Sequence, residues 1–168
     1  NMYSKLTSQQ AALYESVVEE AMNNLDNPIQ DGNSRRGSIL AMLTHLKQIC
    51  NHPANYLPSQ DQALVNSGKS QLLLTVLEPI IENGEKVLIF TQYVRMAKLL
   101  QAQIQTKYMT RPLLLHGEMS KAEREKNVTR FQKDPSSSIF LLSLKAGGDG
   151  LNLTAAIHVV HYDLWWTP

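Results

Sequence analysis

The sequence predicts a parallel three-layer α/β fold preceded by a helical subdomain. Three observations predict it. From Ser67 onward, short apolar runs (Lys86–Thr91, Pro112–His116, Ser138–Ser143 and Ile157–Tyr162) are separated mostly by helix-patterned stretches, the rhythm of βαβ units rather than of hairpins. The runs are apolar on nearly every residue instead of alternating, as strands covered on both faces are. Before Ser67 the apolar spacing is helical only.

The elements follow in order. Thr7-x-x-Gln10 is a capping-box pattern, and Leu13, Tyr14, Val17, Val18, Ala21, Met22 and Leu25 then fall on one helix face. A polar stretch from Asn27 to Asn33 interrupts. A second helix is expected over 34–50, with Ile39, Leu40, Leu43, Leu46, Ile49 and Cys50 on its apolar side. Asn51-His52-Pro53 ends it, because proline drives the preceding residue out of the helical region. Residues 54–66 read as loop. A third helix carries Leu72, Leu73, Val76, Leu77 and Ile80, and Pro79 is expected to kink it or end it early. Then come strand 86–91, helix 94–107, strand 112–116, helix 120–133 and strand 138–143. Ser120-x-x-Glu123 caps the last helix and Asp134-Pro135 closes it. The domains expected are a helical subdomain over 1–66 and an α/β domain over 67–168.

Bulk properties exclude several classes. At 168 residues the chain can bury a core without staples. A net charge of +1 means that any nucleic-acid contact must come from a local patch. One cysteine, Cys50, excludes an internal disulfide framework and suits a reducing cytosol. There is no signal-peptide pattern and no apolar run of membrane-spanning length. With two tryptophans close behind its last strand, the chain reads as an excerpt.

Chemistry concentrates near the carboxyl end. The strand ending at Ser143 runs into a loop holding Gly147, Gly148 and Gly150, three of the chain's eight glycines. Glycines let backbone N–H groups approach and aim at a ligand. Ser143, Lys145 and Asn152 add a hydroxyl, a cation and an amide. The loop follows a strand's carboxyl end, where open α/β sheets bind their ligands. The plain alternative is a flexible connector.

Four segments carry a resemblance. They are Leu43-Thr-His-Leu-Lys-Gln-Ile-Cys-Asn-His-Pro53; Val87-Leu-Ile-Phe-Thr-Gln-Tyr93; Leu115-His-Gly-Glu-Met-Ser120 with Arg124, Phe131 and Gln132; and Leu142–Thr154 with Asp163-x-Trp-Trp-x-Pro168. In order and spacing they resemble the carboxyl-terminal RecA-like lobe of SWI/SNF-type DNA translocases in helicase superfamily two, in a microbial flavour. The resemblance covers nearly the whole chain. It implies a motor of two RecA-like lobes, with ATP and Mg²⁺ in the cleft between them and double-stranded DNA lying across both. The partners implied are that DNA, without sequence preference, and the amino-terminal lobe of the same polypeptide. The location implied is the cytoplasm, at the nucleoid. Thr91 and Gln92, at a strand end, would face DNA, as would His116 and Gly117 at the next strand end. Ser143 and Lys145 would touch DNA; Gly148, Gly150 and Asn152 would face nucleotide. Trp166 would wedge against bases or sugars, a sequence-tolerant contact. Arg124 and Phe131 would be structural. Helix 120–133 carries five basic against two acidic residues, a possible phosphate track or a solvated face.

Departures accompany the resemblance. The family's next motif, which supplies arginine fingers, would begin after Pro168. The phosphate-binding lysine and the Mg²⁺-holding acidic pair belong to the other lobe. This chain alone is therefore expected not to hydrolyse ATP. Asp149 suits a ribose-side or lobe-interface role better than phosphate cradling, and Thr167 stands where asparagine is commoner.

Other readings compete. Ala63–Ser70 matches a relaxed phosphate-loop pattern, which would make the chain a small self-contained NTPase using Lys69 and Ser70. No strand precedes it, however, and Ser67 suits a helix N-cap. A non-enzymatic DNA-binding or docking module is the third reading. Cys50-x-His52 lacks the paired spacing of a zinc site. His158 and His161 fall on opposite faces of one strand and cannot share a ligand.

Overall fold

A computed structural model describes residues 1–25, 32–56, 67–143 and 150–163. The chain divides into two units, residues 1–72 and 73–168, and the division falls inside a helix.

The first unit is built on two helices, α1 (Ser8–Leu25) and α2 (Gly32–Asn51). The capping box forms: Thr7 Oγ1 accepts from the Gln10 N–H at 3.2 Å, and Gln10 Oε1 accepts from the Thr7 N–H at 2.9 Å. Gln10 is fully buried and does more than cap. Its Nε2 donates to the carbonyls of Ile49 and Cys50 at 2.8 and 3.1 Å, and its Oε1 also accepts from the Gly68 N–H at 3.1 Å. All the bonds a glutamine amide can make are thus used, which is what makes its burial tolerable. His52 ends α2 by capping the short 3₁₀ turn Pro53–Asn55, its Nδ1 accepting from the Ala54 N–H. Cys50 is half-buried, and desolvation pushes its thiol pKa up, so it is a packing residue and no ready nucleophile.

The apolar side of α2 differs from expectation. Met42, Leu46 and Ile49 pack against Leu13, Tyr14, Val17 and Val18, whereas Ile39, Leu40 and Leu43 are 40%, 65% and 36% exposed. The helical period is as read. The stripe that α1 covers is the one at Met42, rotated from the one the longest aliphatic side chains suggest.

Helix α3 (Gly68–Glu82) crosses into the second unit. It continues past Pro79 to Glu82, so the proline does not end it early. Pro79 lies on the exposed side while Leu77 and Ile80 are buried, so packing outweighs one lost backbone bond. The helix stops at Gly84 (φ 67°), where the Gly84 N–H bonds the Ile81 carbonyl and the Glu85 N–H bonds the Ile80 carbonyl. That is a Schellman ending, which favours glycine.

The rest alternates as expected: β1 (Val87–Phe90), α4 (Val94–Tyr108), β2 (Leu113–His116), α5 (Lys121–Lys133), β3 (Ile139–Ser143) and β4 (His158–His161). The strands form one parallel sheet in the order β2-β3-β1-β4. The connection through α4 crosses the sheet one way and the connection through α5 returns. Two right-handed crossovers in opposite senses put their helices on opposite faces, giving three layers. On one face Leu88, Leu113, Leu115, Phe140 and Leu142 pack with Phe131 of α5; Phe131 meets Phe140 edge to face, so its reading as structural holds. Val87, Ile89, Ile139 and Leu141 alternate to the other face and are equally buried. Strands β2 and β4 are the edges of the described sheet, and Ile157 and Val159 beside or within β4 are 71% and 56% exposed. Among the described residues no helix is long and apolar enough to cross a membrane.

Local carboxylates hold the turns. The Ser120–Glu123 capping box is complete, and the Ser120 hydroxyl and N–H keep the Glu123 carboxyl below its ordinary pKa of 4.5. Asp134 closes α5 by accepting from the Ser136 N–H and hydroxyl, which hold it below 3.8. Glu85 accepts from the His158 ring, tying the starts of β1 and β4 together, and is likewise lowered. Folded pKa values below the unfolded ones contribute stability above the unfolded values and lose it as pH falls through the folded ones. The melting temperature of the α/β unit, followed by circular dichroism, is therefore expected to decline as pH drops below about 4.5.

Candidate functional site

Parallel strands deliver all their carboxyl ends to one edge, so the chemistry there is set by each strand's last residues. Pairing aligns His116 directly with Ser143. The Thr91 N–H bonds the Leu142 carbonyl at 3.0 Å, and the Tyr162 N–H bonds the Phe90 carbonyl at 2.8 Å. Across the sheet the edge therefore reads His116, Ser143, Thr91 and the turn at Tyr162–Asp163. Gln92 and Gly117 extend it outward. Five of the expected DNA-facing residues (Thr91, Gln92, His116, Gly117 and Ser143) come together here from three strands.

They do not present alike. Thr91, Ser143 and His116 are only 3%, 5% and 9% exposed. Gln92 is half-buried and Gly117 is exposed. The Thr91 hydroxyl donates to Asp163 Oδ2 at 2.6 Å, and the Gln92 N–H donates to Asp163 Oδ1 at 2.8 Å. Thr91 Oγ1 in turn accepts, at 3.4 Å, from the N–H of Tyr93, the residue before α4. A carboxylate from the end of β4 thus organises the turn from β1 into α4. Burial, and then the Asp163 charge, push the Tyr93 phenol above its ordinary pKa.

The turn after β2 is held from behind. Arg124 Nε donates to the Met119 carbonyl at 3.0 Å and Nη2 to the Gly117 carbonyl at 3.5 Å, so Arg124 is structural, as read. His116 Nδ1 lies 3.8 Å from Glu118 Oε2, beyond hydrogen-bond reach. A groove of about 600 Å³ runs from His116 along the outer edge of β2, with Arg111 and Arg130 set against Glu118 and Glu123. Its mixed charge selects no anion. The strand carbonyls of Pro112 and Leu114 are taken by Gln101 Nε2 and Asn127 Nδ2 at 2.8 and 2.9 Å, which blunts the edge against strand addition.

Of the residues expected to face nucleotide, Gly150 and Asn152 are exposed on the segment that leads into β4. Leu151 and Leu153 alternate inward against the core. Gln132 clamps the segment, its Nε2 donating to Thr154 Oγ1 at 3.0 Å and its Oε1 accepting from the Ala155 N–H at 2.9 Å. Lys145, Gly148 and Trp166 lie outside the described residues. Among the described residues, no group of three or more His, Cys, Asp or Glu could hold a metal ion.

Of the phosphate-loop pattern, the described residues, 67–70, form the start of α3. Ser67 caps α3, its Oγ accepting from the Ser70 N–H at 3.0 Å, and Ser70 Oγ bonds back to Ser67. The Gly68 N–H is taken by Gln10, and Lys69 Nζ donates to Asn51 Oδ1 at 2.7 Å. Among the described residues of the pattern, the Gly68 N–H, the Lys69 ammonium and the Ser67 and Ser70 hydroxyls are engaged within the helical unit.

Sheet order, strand direction and the polar carboxyl edge define a RecA-like lobe. Residues 68–168 match the helicase conserved C-terminal domain family. The SWI2/SNF2 ATPase C-terminal domain of Sulfolobus solfataricus is 42% identical, with a TM-score of 0.88 over 99% of this chain and 72% of that one. The SWI2/SNF2 ATPase core from the same organism, solved in complex with dsDNA, is 40% identical with a TM-score of 0.90, over 99% of this chain and 35% of that one. A Bacillus subtilis protein named as a candidate ATP-dependent helicase/translocase, YwqA, is 41% identical over 165 residues, 97% of this chain and 18% of that protein. The chain belongs to the helicase conserved C-terminal domain family, in its SWI2/SNF2 branch. It spans about a fifth of the length of that bacterial relative.

Proposed function

We propose that this chain is the second motor lobe of an ATP-dependent double-stranded-DNA translocase, coupling ATP hydrolysis to movement along DNA or to remodelling of protein–DNA complexes. The observation that carries the reading is the gathering of Thr91, Gln92, His116, Gly117 and Ser143 on one sheet edge. The dsDNA bound by the Sulfolobus relative supports it. In this reading those five residues, with Lys145 and Trp166, line the DNA track. Gly148, Gly150 and Asn152 face the nucleotide. Backbone-directed contacts carry no base information, so binding is sequence-indifferent and salt-sensitive.

Phosphoryl transfer needs positioned charge around the γ-phosphate more than covalent chemistry. The described residues supply polar and backbone groups for orientation but no carboxylate cluster for Mg²⁺. Mg²⁺, the phosphate-binding lysine and much of the charge stabilisation are assigned to an amino-terminal lobe in the same polypeptide. The isolated chain then binds ATP weakly and does not hydrolyse it.

Calorimetric titration of the chain with Mg·ATP tests this. Undetectable or millimolar binding to a cooperatively folded sample is expected. Micromolar binding that disappears in Lys69→Ala would overturn the half-site reading in favour of a self-contained phosphate loop. The engagement of Lys69 with Asn51 argues against that outcome.

A further inference from the structure

We infer that Asp163 is a positioning residue for DNA binding, holding the β1–α4 turn in the conformation that presents Gln92 to the duplex backbone. The inference rests on the DNA-track reading above.

The carboxylate lies at the end of β4 and is 5% exposed. It reaches across to β1, accepting the Thr91 hydroxyl on one oxygen and the Gln92 N–H on the other, at 2.6 and 2.8 Å. Thr91 relays the hold to the Tyr93 N–H. Two successive residues of the turn before α4 begins at Val94 are thereby held by one side chain 71 and 72 positions away in sequence, and the third, Tyr93, is held through Thr91. The same contacts commit the Thr91 hydroxyl within the protein, and in the DNA-track reading the residue of this turn that meets the duplex is Gln92.

Charge makes the placement informative. A buried carboxylate is costly unless its oxygens are bonded. A negative charge on an edge that meets phosphates also opposes binding. Electrostatics alone therefore gives Asp163 an unfavourable sign. Its geometry gives it the opposite one: without the two acceptors the turn loses its tether, and Gln92 loses its orientation. The two accounts predict affinity changes of opposite direction when the side chain is removed.

The test is fluorescence anisotropy of a labelled duplex of about 20 base pairs, titrated with the 168-residue chain at low salt. It is run at a temperature where near-ultraviolet circular dichroism shows each variant folded. Asp163→Ala is expected to bind about tenfold more weakly although it removes a negative charge. Asp163→Asn keeps an acceptor for the Gln92 N–H, and its amide can donate to the Thr91 hydroxyl. It is expected to bind as tightly as the parent chain or more tightly. Thr91→Val, which isosterically removes the bond to Asp163 and the longer one from the Tyr93 N–H, is expected to bind about threefold more weakly, and to add little further loss when combined with Asp163→Ala.

A role confined to stability would leave the dissociation constants of folded variants unmoved. Asp163→Ala binding as tightly as the parent, or more tightly, overturns the inference. If Asp163→Ala does not fold, Thr91→Val decides, and unchanged affinity there overturns it equally. No binding by the parent chain at low salt would sink the DNA-track reading, and the inference with it.

Discussion

Lys86→Met is expected to lower the unfolding free energy of the α/β unit by about 3 kcal/mol. Lys86 Nζ donates to three main-chain carbonyls at once: Phe131 at 2.5 Å, Asp134 at 2.6 Å and Ser137 at 2.8 Å. These lie at and just beyond the carboxyl end of α5, where the last helical carbonyls have no partner inside the helix and where the helix dipole favours a cation. The ammonium also sits 5.0 Å from the centre of the Phe131 ring. Burial draws its pKa down and the Asp134 charge partly restores it. The three short charge-assisted bonds are what make an ammonium tolerable there. Methionine keeps most of the stem packing and removes all three donors, so the loss isolates the bonds. Thermal unfolding should show a drop on the order of 15 °C for a unit of this size. Lys86→Arg, which keeps charge and several donors, should recover part of it. A Lys86→Met variant melting within about 3 °C of the parent would show that water replaces the lysine at no cost.

Lys86 also marks the limit of what the sequence makes legible. Read locally, it is a polar residue opening an apolar strand. Its acceptors come from residues 131–137, and nothing in the local pattern points to them. Features whose cause is local were readable: the Ser120–Glu123 capping box, the Thr7–Gln10 box and the helix end at Asp134 form where the motif places them. The parallel sheet was readable too, because strands covered on both faces are apolar on every residue and need helical crossovers. The face of α2 was half-readable. Its period is a local property, but which stripe is covered depends on where α1 lies. An early end at Pro79 failed for the same reason, since its local penalty is outweighed by the burial of Leu77 and Ile80.

The site divides along the same line. Thr91, His116 and Ser143 reach one edge because parallel strands must end together, so their assembly follows from the strand assignments. Their burial does not follow, and neither does the use of the Thr91 hydroxyl inside the protein. Asp163 had one usable signal: a carboxylate at the end of one parallel strand and a hydroxyl at the end of another. Choosing between them required the order of β1 and β4, which pattern alone leaves open.

Gly68→Ala is expected to be the most disruptive single-methyl change in the helical unit. A Cβ on Gly68 would stand 1.8 Å from the carbonyl oxygen of Lys5. That atom is main chain, so no rotamer change relieves the contact; either the segment before α1 moves away or the first turn of α3 shifts. Gly84 is the glycine with positive φ among the described residues, so alanine's backbone would be comfortable at 68 and the cost is collision alone. Movement there also stretches the bond from the Gly68 N–H to Gln10 Oε1, at the residue whose amide joins α1, α2 and α3. A collision of that depth combined with a weakened buried bond is expected to cost about 3 kcal/mol or more. Gly37→Ala is the control. It lies inside α2 with nothing within 4 Å of the added methyl, and it should stabilise the helix by roughly 0.5–1 kcal/mol. Amide hydrogen exchange read over α1 and α2 would separate the two. Protection should fall sharply in Gly68→Ala and hold or rise in Gly37→Ala. Equal protection in both would mean that the Lys5 carbonyl yields freely.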